Sequence, residues 1–132
     1  MKAKVAVLLA GLSLLALPLL AHHSFAAEYD SKKPVTLKGT VTRFDWVNPH
    51  SRLFVDVKDE NGNVTPWEFE TGNPTIMQRN GWKRDTLKPG DQVIVTGYRA
   101  KDGANIAAAS TVSTADGKRL LAGSNGTPQP SN

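Results

Sequence analysis

The sequence predicts an all-β fold with one short helix: a five-stranded OB-like Greek-key barrel whose helix lies between strands three and four. Three observations carry this. Apolar residues recur with period two in five segments, the side-chain period of a half-buried strand. A helix signal interrupts them after the third segment. Strands and helix all fall between residues 35 and 123, where a small sandwich would more naturally show about seven strands and no helix.

The first segment, PVTLKGTV, puts Val35, Leu37, Gly39 and Val41 on one face and Thr36, Lys38 and Thr40 on the other. After Thr42 the phase flips, so that Phe44 and Trp46 take the apolar positions. Near a glycine, such a flip predicts a bulge or strong coil within strand one, over 35–46. RLFVDVKD alternates through Leu53, Val55 and Val57 and gives strand two over 51–58, closed by a turn at Glu60-Asn61-Gly62-Asn63. VTPWEFE gives strand three over 64–70, with Trp67 and Phe69 on the core face. Pro66 cannot donate to a ladder and belongs at an edge or bulge. In GNPTIMQRNGW, Asn73 can cap, Pro74 suits the first helical position and Gly81 can end a short helix within 73–81. A Pro89-Gly90 turn leads to strand four over 91–99, through Val93, Ile94 and Val95. Lys101-Asp102-Gly103 turns into strand five over 104–113, where NIAAASTV offers small inward residues. Asp116-Gly117 can turn the chain toward a brief sixth strand near Leu120 and Leu121, beyond the five of the barrel.

The ends have another character. MKAKVAVLLAGLSLLALPLLA combines Lys2 and Lys4, an apolar stretch from Val5 to Leu17 and a break at Pro18. That is the layout of a secretory signal peptide, too short for a stable membrane span. Leu19-Leu20-Ala21 suits signal peptidase, with Ser24-Phe25-Ala26 as the competing site. Cleavage after Ala21 makes His22 the new amino terminus and places the protein in the periplasm or outside the cell. Removing 21 of 132 residues leaves 111, one domain, and takes Lys2 and Lys4 from the formal charge of +4 to leave about +2. No remaining run of Lys and Arg makes nucleic acid the default partner. The absence of cysteine excludes disulfides and thiolate metal sites, so a packed core must hold the fold. Residues 22–34 are expected to pack on the barrel through Phe25 and Tyr29, followed by the barrel domain over 35–123. The polar GSNGTPQPSN predicts a disordered tail over 124–132.

His22, His23 and His50 are the candidate metal ligands. An amino-terminal His22 offers its amine and its own ring nitrogen to one ion, and His50 in WVNPHSR can close a three-nitrogen site. The amine must lose a proton first, which its reference pKa of about 7.7–8.0 permits near neutrality. Copper ranks before zinc, because no fourth ligand for a closed tetrahedral site declares itself. The bland reading is a flexible tail and a loop that bind adventitious metal weakly. A second class of function is a non-metal module whose aromatic face, Trp46, Phe54 and Tyr98, holds a peptide, saccharide or protein. Trp67 and Trp82 are expected in the core instead. Asp45, Glu68 and Glu70 read as a solvated strand face, Ser24 has no triad context, and no glycine-rich phosphate loop is present. The chain is therefore not expected to be an enzyme.

Taken together, HHSFAAEYD, PVTLKGTVTRFDWVNPHS, WEFETGNP with the GW at Gly81-Trp82, and LKPGDQVIVTGYRAKDG resemble a family of small secreted bacterial proteins grouped as a domain of unknown function, over roughly 21–123. The family's marks fall on His22, His23, Ser24 and Phe25, on Asn48, Pro49 and His50, and on Gly90 and Asp91. The resemblance implies a secreted OB-like module with no established activity. It also makes the histidines part of a shared motif, which core packing alone does not explain.

Overall fold

The computed structural model describes residues 25–129. The expected signal peptide and its expected cleavage after Ala21, together with His22 and His23, lie outside the described residues.

The described chain runs α1 (Phe25–Glu28), β1 (Tyr29–Asp45), β2 (Arg52–Lys58), β3 (Val64–Glu70), α2 (Pro74–Arg79), β4 (Gln92–Ala100), β5 (Ile106–Thr114) and β6 (Arg119–Leu121). The strands form one sheet in the order β3-β2-β1-β4-β5-β6, with β3 also pairing in parallel with β5. That last pairing returns the sheet to its first strand and leaves β6 as a short flap on β5. The five strands expected of the barrel become six, the sixth being Arg119–Leu121, where a brief strand was expected near Leu120 and Leu121; it pairs with residues 111–113 of β5.

Two further differences concern the chain before residue 35. β1 begins at Tyr29, since Tyr29 pairs with Ala100 and Pro34 with Tyr98 on β4 across a register shift. The polar residues 30–33 show no alternation, and they lie within that shift, between the paired positions Tyr29 and Pro34. α1 is a helical turn absent from the expected count of one helix. Four residues cannot sustain a helix alone; Lys101 holds this one, its backbone N–H donating to the Glu28 carbonyl at 2.9 Å and its ammonium to the Ala26 carbonyl.

Elsewhere local signals and structure meet. The β1–β2 register shifts between Val41 and Arg43, where the phase of the sequence flips. Asn73 accepts the Ile76 N–H at 2.9 Å and caps α2, which lies between β3 and β4. Pro66 pairs toward β2 at a point where β3 has no partner on its other side, since β3–β5 pairing covers only Glu68 to Glu70.

The main core gathers Val41, Leu53, Val55, Trp67, Phe69, Met77, Trp82, Val93, Val95 and Val112 among others. Trp82 is fully buried and donates its indole N–H to the Leu121 carbonyl at 2.8 Å. Ala107 and Ala109 belong to this core, whereas Ala108 between them joins Tyr29, Ala100, Phe25 and Ile106 in a second cluster. Because side chains alternate along a strand, the two clusters lie on opposite faces of β5. Where disorder was expected after residue 123, the described part of the tail lies against β5. The Ser110 hydroxyl donates to the Pro128 carbonyl at 2.9 Å, and Thr127 is buried. Among the described residues no helix is long and apolar enough to cross a membrane.

Candidate functional site

The second cluster borders the one histidine that the structure describes. His50 follows Asn48 and Pro49 at the end of the β1–β2 connection, one residue before the fully buried Ser51. Ser51 is locked on both sides: its N–H donates to the Gly72 carbonyl at 3.0 Å, and its carbonyl accepts the Thr71 N–H and hydroxyl at 2.9 Å each. Arg52 then pairs in register with Glu70, the last residue of β3. The loop end cannot drift, and His50 stands beside Glu70.

The contacts that result run through the Glu70 carboxylate. His50 Nδ1 lies 3.2 Å from Glu70 Oε1, while Oε2 accepts the Tyr29 hydroxyl at 2.9 Å and sits 3.9 Å from Arg52 Nη2. The closer partner of Arg52 is Glu68, which its Nη1 pairs with directly. Glu70 is 11% exposed and the His50 side chain 34%, so the carboxylate is enclosed and the ring reaches solvent. Burial, then the negative charge of Glu70 and its hydrogen bond, push the Tyr29 phenol above its ordinary value. Tyr29 therefore stays a protonated donor across the neutral range. It is the Nδ1 edge of the His50 ring that meets the Glu70 carboxylate.

Phe25 seats the chain next to this group. Its ring stacks on Tyr29 at 5.7 Å and meets Tyr98 edge-on at 5.6 Å. Phe25, Tyr29, His50, Glu70, Ala108 and Asn125 line one cleft of about 30 Å³. One water needs about 10–15 Å³, so this cleft has room for an ion or a water pair and not for an organic ligand. Among the described residues, no group of three metal-ligating side chains comes together.

The aromatic residues expected to form a platform each have a different neighbour. Trp46 packs with Phe44 at 5.9 Å against the main core, Phe54 lies under the Arg43 guanidinium at 4.0 Å, and Tyr98 belongs to the Phe25 contact. Asp45 pairs with Arg43 at 3.1 Å, and Glu68 pairs with Arg52. Glu68 and Glu70 thus both face the Arg52 guanidinium. Sequence reasoning placed Tyr29 as a packing residue but passed over its hydroxyl, Arg52 and the role of Glu70. Two of them stand inside the segments HHSFAAEYD and WEFETGNP that carry the family resemblance, which was the available signal.

Comparison with known proteins is consistent with a family whose activity is open. The profile of DUF6152, described as a family of unknown function, matches residues 10–109. No curated protein and no solved structure matches the chain.

Proposed function

This chain belongs to the DUF6152 family, a family of unknown function, and from that premise and its own side chains we propose that it is a small periplasmic or secreted binding module that holds one copper(II) ion through His22, His23 and His50. In this reading the sheet is an OB-like barrel, and the module binds its ion without catalysing a reaction.

The observation that carries the reading is Phe25, docked on Tyr29 and Tyr98 in the cleft that His50 and Glu70 also line. His23 is two residues upstream of Phe25 and His22 three. At roughly 3.3–3.6 Å per residue, two or three residues of chain span at most about 7–11 Å. Burying one aromatic ring is worth roughly 1.5–3 kcal/mol, enough to offset the ordering of a few residues. With His22 as the mature terminus, its amine and ring nitrogen chelate one ion, and His50 Nε2 is a third nitrogen donor. Amine and imidazole nitrogens suit copper(II) better than hard cations. The Glu70 contact on Nδ1 is the carboxylate support that metal-ligating histidines ordinarily have.

Calorimetric titration of copper(II) into protein that begins at His22 tests this. A single site per chain is expected. His50→Ala should weaken it at least tenfold, a loss of about 1.4 kcal/mol. One extra residue ahead of His22 should nearly abolish it, because the amine then leaves its place beside the ring. Undiminished binding by the extended protein would remove the terminal chelate from consideration.

A further inference from the structure

We propose that Glu70 and Tyr29 are the positioning residues of this site: Glu70 holds the His50 ring through Nδ1 so that Nε2 faces outward, and Tyr29 holds Glu70. The ion is taken from the metal reading above; the orientation of the ring rests on geometry alone.

Each part of the relay comes from a different element. His50 precedes β2, Glu70 ends β3, and Tyr29 opens β1. Both oxygens of the Glu70 carboxylate are engaged, Oε1 by His50 at 3.2 Å and Oε2 by Tyr29 at 2.9 Å. Rotating the carboxylate breaks at least one of these contacts. Tyr29 itself has little freedom, being 5% exposed and packed with Ala100 and Ala108. Its hydroxyl points to Glu70 while its ring stacks on Phe25. One side chain therefore both seats the amino-terminal segment and orients the histidine across the cleft.

The plainer account makes Glu70 one member of a surface ion cluster with Arg52 and Glu68. Distances argue against it. Arg52 is 3.9 Å from Glu70 and much closer to Glu68, so the nearest partners of Glu70 are His50 and Tyr29. An ion cluster also gives no reason for a carboxylate to be more enclosed than the histidine it touches.

The test reads the tautomer of His50 and the copper affinity separately, in protein beginning at His22. Long-range proton–nitrogen correlation spectra in mildly alkaline buffer should show Nδ1 protonated and Nε2 bare. Glu70→Ala should release that single tautomer and weaken copper(II) binding by roughly tenfold to a hundredfold, the usual effect of removing a carboxylate behind a ligating histidine. Tyr29→Phe keeps the ring packing and should shift both readings in the same direction by less. If Glu70→Ala does not fold, Glu70→Gln together with Tyr29→Phe decides the matter. A wild-type ring protonated on Nε2 overturns the proposal, and so do variants with unchanged tautomer and unchanged affinity. A fixed Nδ1–H tautomer in a protein that binds no copper upholds the positioning role and rejects the metal reading.

Discussion

Trp67 shows what a single ring contributes when it lies in phase with its strand. It is 9% exposed, stacks on Phe69 at 6.1 Å, and carries the Arg99 guanidinium 5.2 Å from its ring centroid. Replacing a buried large aromatic by alanine removes its transfer energy and leaves a cavity. Trp67→Ala is accordingly expected to cost about 3–5 kcal/mol, read as a fall in the urea midpoint. A midpoint equal to that of the parent would show that the ring contributes nothing to the core. The burial of Trp67 was legible two residues away, in the position of Phe69. The role of Glu70 was not, because its donor Tyr29 is 41 residues distant along the chain. A hydrogen bond across that separation leaves no period in the sequence.

Among the elements, legibility followed the length and strength of local signals. α2 announces itself through Asn73, Pro74 and Gly81, and the β1 bulge through its change of phase. α1 has no such signal, being four residues held by Lys101. β4 conceals another constraint. A Cβ added to Gly97 would lie 2.1 Å from the Ala108 carbonyl oxygen, beside the register shift between Thr96 and Gly97. The obstacle is backbone of the paired strand, so it cannot swing away as a flexible side chain would. Gly97→Ala should destabilise by at least the 1–3 kcal/mol typical of overpacking, roughly, seen as a lower thermal midpoint. An unchanged midpoint would mean that β4 and β5 can separate locally without penalty.

For the whole molecule, Tyr29 links pH to stability. Its phenol is raised above the ordinary tyrosine value by burial and by Glu70, so the fold disfavours the phenolate. The contribution of neutral Tyr29 is fully present below about pH 10, the unfolded value, and is lost as pH rises through the higher folded one. Urea unfolding followed from about pH 8 upward should therefore show stability falling beyond about pH 10. Tyr29→Phe should flatten that decline; a decline of equal slope in the variant would assign it to other groups.

The sequence by itself determined the β-rich class, the alternation that sends Trp67, Phe69, Leu53 and Val55 inward, the bulge after Val41 and the capped helix before β4. Each of these is a local property, written in a period of two, a cap or a turn residue. Only the tertiary structure decided that Phe25, Tyr29, His50 and Glu70 line one cleft, and that Trp46, Phe54 and Tyr98 pack on Phe44, Arg43 and Phe25 respectively. It also decided that β1 reaches back to Tyr29 and that β3 pairs with β5. The physical reason is common to all four: pairing and packing between distant residues depend on strand order and register, which local patterns do not encode.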